Sequence, residues 1–139
     1  MVGYILVFLQ FGLIAVICTL GIINDVLTGL RIPIVVFSLL IGILTIYSMN
    51  FSMSIHPKPK DGQDLVTNGI YKYIRHPAYL AVITFTLSFL YSYLGLILWF
   101  GLILVLTIKM QLEEQMLKEK FSSYKEYAKH SKKLIPYIY

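Results

Sequence analysis

The sequence predicts an all-α integral membrane protein of about four transmembrane helices, the last two forming a C-terminal helical hairpin. A cytoplasmic loop and a C-terminal amphipathic helix complete the expected chain. Three observations carry this reading. Of 139 residues, 58% are hydrophobic and only 14% are charged, with a mean hydropathy of +0.74, far from the balance of a water-soluble domain. The stretches Val2 to Ile23 and Ile32 to Ser54 carry no charged side chain, and each exceeds the ~20 apolar residues that cross a ~30 Å hydrocarbon layer. A third apolar region, Ala78 to Ile108, is too long for one straight crossing at ~1.5 Å per residue.

Taken in order, the first span is expected over about 2–23. It lacks the basic n-region and small-residue cleavage site of a secretory signal, so it should be retained. A second span follows over 32–54. In the third region the stretch YSYLG, Tyr91 to Gly95, supplies interface aromatics, a serine and a glycine. It predicts a tight turn between spans of about 77–92 and 94–110, with one tilted or kinked helix as the alternative. The chain thus reads as a single membrane domain, 1–139, without repeats or low-complexity segments.

Two polar segments remain. The loop 55–76 holds Pro57, Pro59, Gly62 and Gly69, which forbid a continuous helix and predict an ordered loop over the bundle. The tail 111–130 places Leu112, Met116, Leu117, Phe121, Tyr124 and Ala128 at spacings of three and four, the pattern of an amphipathic helix. Four spans put loop and tail on one side of the membrane. Of twelve Lys and Arg residues, only Arg31 lies in the connection after the first span; the other eleven fall in the loop, at Lys109 or in the tail. Positive charge marks the cytoplasmic side, so the net charge of +5 reports topology and attraction to membrane lipids, and no nucleic acid partner is expected. Cys18 is the single cysteine, which excludes an internal disulfide.

Ionisable residues close to hydrocarbon are costly and are more often functional than decorative. On that ground Tyr71, Arg75, His76 and Tyr79 of the loop, with Lys109, Glu113 and Glu114 where the last span ends, form the candidate site. Lys109 and Glu113 are four apart and share a helical face. Bland roles compete for each: Lys109 and Arg75 as snorkelling anchors, Glu114 as the i, i+4 partner of Lys118, His76 as a helix-start residue before Pro77. No metal-ligand spacing, glycine-rich phosphate loop or nucleophile with an adjacent base is present in the sequence. The residues alone therefore lead to a cytoplasm-facing polar site capping a helical bundle.

The stretch QDLVTNGIYKYIRHPAYL, Gln63 to Leu80, resembles the signature of the isoprenylcysteine carboxyl methyltransferase family, of the form (H/Q)-x-L-V-T-x-G-x-Y-x-x-x-R-H-P-x-Y. KMQLEEQMLKEKFSSYKEYAKHSKKLIP, beginning at Lys109, resembles the family's second element, R-x-x-x-E-E-x-x-L followed by F-x-x-Y-x-x-Y and a late Ile-Pro. The resemblance implies a membrane-embedded methyltransferase that uses S-adenosyl-L-methionine and acts on a lipid-like or prenylated small-molecule acceptor. It implies a cofactor pocket from Gln63, Leu65, Val66, Tyr71, His76, Pro77, Ala78, Tyr79 and Glu113, with His56 as a more distant contact. Lys109 falls where the family holds an acceptor carboxylate with arginine, and is the implied acceptor-binding and catalytic residue. His76 is a second catalytic candidate, as the base an amine acceptor would need. Lysine lacks the bidentate fork of arginine, and two spans before the signature leave less wall for a long prenyl groove. A phospholipid or amine N-methyltransferase is the nearest alternative, followed by a sterol-reductase-like enzyme and a non-catalytic membrane protein retaining the fold. The expected location is a bacterial or archaeal inner membrane, multi-pass, with the site facing the cytoplasm.

The topology is testable directly. Single cysteines at Gly62 and Ser123, in a Cys18→Ser background, should both resist an impermeant thiol reagent in intact cells; labelling of either from outside overturns the orientation.

Overall fold

In lipid a backbone N–H or C=O has no water to bond, so an apolar chain this long must satisfy its polar backbone within helices. The computed structural model describes residues 2–49 and 65–135, and these are all-helical, with no strand among them. Helix α1 covers Val2–Ile23, α2 Arg31–Ser48, α3 Pro77–Leu87, α4 Tyr93–Lys120 and α5 Tyr124–His130, with a 3-10 turn at Gly69–Lys72. Three of them, α1, α2 and α4, are long and apolar enough to cross a membrane. The protein is an integral membrane protein.

The hairpin is present, but its first arm is shorter than the sequence suggested. In place of a span over 77–92, α3 ends at Leu87 after 11 residues, about 16 Å, roughly half of a hydrocarbon crossing. The physical reason lies in its last turn. The N–H groups of Ser88, Phe89 and Leu90 bond back to Phe85, Thr86 and Leu87 at 3.1, 3.1 and 3.3 Å, the tighter 3-10 pattern that closes a helix. Ser92 then caps α4, its hydroxyl accepting from Gly95 N–H at 3.3 Å. So the tight turn lies at residues 88–92 and overlaps the first two residues of the expected YSYLG, Tyr91 and Ser92.

The tail also differs. Residues 111–120 do not begin a separate amphipathic helix over 111–130 but continue α4, which runs unbroken for 28 residues. Phe121 takes an extended conformation and ends α4, and only residues 124–130 form the next helix, α5. The polar end of the last span is thereby a rigid helical post, and positions 109, 113 and 114 are set by helical geometry alone.

Packing follows α1 along α4 and α2 along α3. The core gathers Ile17 from α1, Tyr79 from α3, Phe89 from the hairpin turn and Leu102, Leu106 and Met110 from α4. Outward faces carry exposed apolar side chains such as Phe8, Phe37 and Ile97, as lipid-facing surfaces require. Two glycines make the close contacts possible. Gly69 has φ +58°, a left-handed conformation that other residues rarely adopt, and it brings the loop against Ser48. Ser48 Oγ accepts from Ile70 N–H at 3.3 Å, and Tyr71 donates its hydroxyl to Met49 Sδ at 3.0 Å. The loop's return is therefore stitched to the end of α2.

The tail closes over the same place. Arg75 N–H donates to Lys132 O at 2.7 Å, His76 N–H to Lys133 O at 3.0 Å, and Lys132 N–H to Tyr73 O at 3.0 Å, an isolated parallel bridge. Tyr127 donates to Tyr71 O at 2.7 Å. Backbone groups before α3 that no helix could satisfy are thus paired by the tail.

Gly21 is the second close contact. A Cβ there would stand 2.7 Å from both the Cβ and the carbonyl oxygen of Phe89, whereas at Gly12 nothing lies within 4 Å. Gly21→Ala should cost about 1–3 kcal/mol through overpacking, while Gly12→Ala should be neutral or slightly stabilising. Thermal unfolding in detergent checks this, and equal melting temperatures for the two variants refute the packing account.

Candidate functional site

Pro77 at the first position of α3 fixes the entry into that helix and leaves His76 as the flanking residue, with φ −124° and ψ 56°. His76 and Tyr79 are consequently one turn apart, their rings stacked at 5.6 Å between centroids and 18° between planes. Facing them is the polar end of α4. Lys109 and Glu113 lie one above the other on one face, and Glu114 is turned by roughly 100° along the helix.

The imidazole of His76 sits between the two carboxylates. Its Nδ1 lies 3.5 Å from Glu113 Oε2 and its Nε2 3.5 Å from Glu114 Oε1, long contacts rather than hydrogen bonds at the Nε2 side, which is buried without a bonded partner. Burial disfavours the charged ring, yet the neighbouring carboxylates of Glu113 and Glu114 outweigh it and raise the His76 pKa above the ordinary value. His76 is held toward its protonated, cationic form.

Tyr79 donates its hydroxyl to Glu113 Oε1. Its ring carries the Lys109 ammonium 5.3 Å from the centroid, a cation–π contact. Lys109 reaches on to α1, where Gln10 Oε1 accepts from Nζ at 2.6 Å. The ammonium is inside the bundle, with Lys109 only 1% exposed.

Behind this group stands an ionic clasp. Arg75 Nε donates to Glu114 Oε1 at 2.9 Å, and its Nη1 donates to Ala128 O at 3.0 Å and to Ser131 O. Lys133 Nζ adds a contact of 3.8 Å to Glu114 Oε2. Burial raises the pKa of Tyr71, with Tyr127 and Glu113 adding to it, and burial likewise pushes that of Tyr127 up to about 12. Both phenols remain neutral donors at physiological pH.

Of the residues singled out in the sequence, His76, Tyr79, Lys109 and Glu113 come together in one cluster, with Pro77 buried at its base. Tyr71 borders it, near enough for the Glu113 carboxylate to help raise its pKa. Ala78 is half-buried in the first turn of α3, and Leu65 and Val66 are half-buried in the segment leading to Gly69. His56 and Gln63 lie outside the described residues. The main omission from the sequence reading is Gln10. Its signal was available: it is the single amide in an otherwise charge-free span, and polar groups in such spans seldom lack a partner.

Chemically, the cluster offers a carboxylate at Glu113 able to accept from hydroxyl or ammonium groups, an aromatic wall at Tyr79, and a buried cation at Lys109 suited to an anion. No curated protein sequence matches the chain. Residues 30–119 match the model of the isoprenylcysteine carboxyl methyltransferase (ICMT) family. That stretch is well over half the chain and contains Arg75, His76, Tyr79, Lys109, Glu113 and Glu114. The chain therefore belongs to the isoprenylcysteine carboxyl methyltransferase family, a family of membrane methyltransferases.

Proposed function

We propose that the protein transfers a methyl group from S-adenosylmethionine to the anionic end of a lipophilic acceptor at the cytoplasmic face of the membrane. One observation carries this reading: the loop end and the polar end of α4 meet at a single cluster, where Tyr79 bonds Glu113 and His76 lies between Glu113 and Glu114. The residues present fit the cofactor. His76 Nε2 is a buried polar atom without a hydrogen bond, Glu113 is an acceptor suited to ribose hydroxyls or an ammonium, and Tyr71 and Tyr79 supply faces for an adenine. When bound, S-adenosylmethionine supplies an electrophilic methyl group carried on a sulfonium, so the protein need provide no nucleophile.

The side chains then have positioning work. Lys109 balances the charge of an anionic acceptor and holds it close to Tyr79. Glu113 fixes Tyr79 and His76 on the cofactor side. The apolar walls of α1, α3 and α4 exclude water, and in-line positioning of this kind can lower a barrier by ~7–11 kcal/mol. The carboxylates beside His76 favour its protonated form, which works against a role as general base. That favours a carboxylate acceptor, which needs no deprotonation, over an amine. A prenylated cysteine is one such acceptor, and an apolar tail in the bilayer would bring it to the bundle from the side.

Two outcomes are expected. Calorimetric titration in detergent should show binding of S-adenosylmethionine and of its demethylated product to the purified protein. Glu113→Ala should weaken both by about 1.5–3 kcal/mol, the scale for losing hydrogen bonds to a charged group. Absence of heat with wild-type protein, together with no displacement by the product, ends the methyltransferase reading.

The second concerns pH. A folded pKa raised above the unfolded value of ~6.5 stabilises the fold fully below that pH and loses the contribution as pH rises through the folded value. Thermal stability of the wild type should therefore fall above pH ~6.5 more than that of His76→Gln. A wild-type advantage that grows with pH instead shows that the carboxylates do not hold the proton.

A further inference from the structure

Helix α1 lies wholly outside residues 30–119, yet it places one polar side chain against the site. Gln10 is 7% exposed in the middle of an apolar helix, and its Oε1 lies 2.6 Å from Lys109 Nζ across 99 positions of sequence. An ammonium is a donor only, so the amide must present its oxygen to Lys109. A buried polar group is retained only when bonded. Both facts fix the pair, and the chemistry of an amide decides what the pair does.

Gln10 satisfies a donor of the ammonium without carrying a charge of its own. A glutamate there would bond equally well but would cancel the cation; a leucine would fill the space and leave a donor unmet. The amide also keeps its –NH2 as a donor on the same group that faces Lys109. A neutral amide thus adds a donor beside a lysine that by itself is a point charge without arginine's fork.

We propose that Gln10 is a positioning residue for the acceptor end of the site: it aims the Lys109 ammonium without placing a carboxylate beside it, and makes the first span part of the recognition of an anionic methyl acceptor. This rests on the methyltransferase reading and deepens it. Selectivity for an anionic over an amine acceptor is then set jointly by α1 and α4.

The test uses the full-length protein in detergent, with S-adenosylmethionine and an S-farnesyl cysteine analogue as probes. Gln10→Glu keeps the hydrogen bond, so a purely structural role predicts wild-type kinetics. The positioning role predicts an acceptor KM raised about tenfold or more with cofactor binding unchanged, since the contact is made in ground and transition states alike. Gln10→Leu should raise KM as well and lower the melting temperature. Combining Gln10→Leu with Lys109→Met should restore that temperature, because the buried donor goes with its partner. This last readout needs no turnover. Wild-type acceptor KM in both Gln10 variants, or no restoration in the double variant, overturns the assignment of Gln10. A wild type that takes up no S-adenosylmethionine ends the methyltransferase reading itself, while the melting-temperature coupling still reports on the Gln10–Lys109 contact.

Discussion

The polar end of this bundle depends on pairing two adjacent carboxylates away from bulk water. A buried carboxylate without a partner costs several kcal/mol, and removing one member of a buried pair typically costs 3–5 kcal/mol. Arg75 meets that demand for Glu114, and its planar fork lets it do more. With Nε on the carboxylate and Nη1 on the carbonyls of Ala128 and Ser131, one guanidinium joins the loop, α4, α5 and the tail. The backbone bridge between 73–76 and 132–133 runs alongside. Lysine could supply the charge and three donors from one nitrogen, but not the planar fork that spreads them over a carboxylate and two carbonyls. The clasp thus holds the residues immediately before α3 in place, and His76 follows Arg75 directly in sequence.

The second constraint is depth. A full-length third span would put its start at the membrane surface; α3 covers only about half a crossing and turns back at residues 88–92. Gly21 admits Phe89 against α1 and so anchors that turn. From there α4 runs 28 residues, long enough to carry Lys109, Glu113 and Glu114 alongside His76 and Tyr79 and then continue to the clasp. One long helix and one short one, joined by a tight turn, bring two sequence-distant motifs together.

Much of this was legible in the sequence, for reasons that can be named. Charge-free runs report spans because a charge in hydrocarbon is so costly, and α1 and the start of α2 followed from that alone, whereas α2 ends at Ser48, short of the expected 54. The i, i+4 spacing of Lys109 and Glu113 put them on one face whatever their partners. Helix ends were harder. The residues 111–120 have the amphipathic spacing of a surface helix and equally that of a span continuing into water, and local pattern does not separate the two. The end of α3 at Leu87 depends on Thr and Ser hydroxyls and 3-10 bonds, not on hydropathy. Gln10 stood out as the single amide of its span, but its partner did not, because the contact spans 99 positions and no local periodicity reports such a pairing.

Glu113 and Glu114 are chemically identical neighbours, and their environments divide the work between them. Glu114, with a side chain 9% exposed, faces Arg75, His76 and Lys133, all of which take part in the backbone bridge to the tail. Its oxygens are committed to structure. Glu113, with a side chain 19% exposed, meets the Tyr79 hydroxyl and the His76 ring, both side chains of the candidate pocket. The same helix turn therefore faces the tail's clasp with one carboxylate and the Tyr79–His76 cluster with the other.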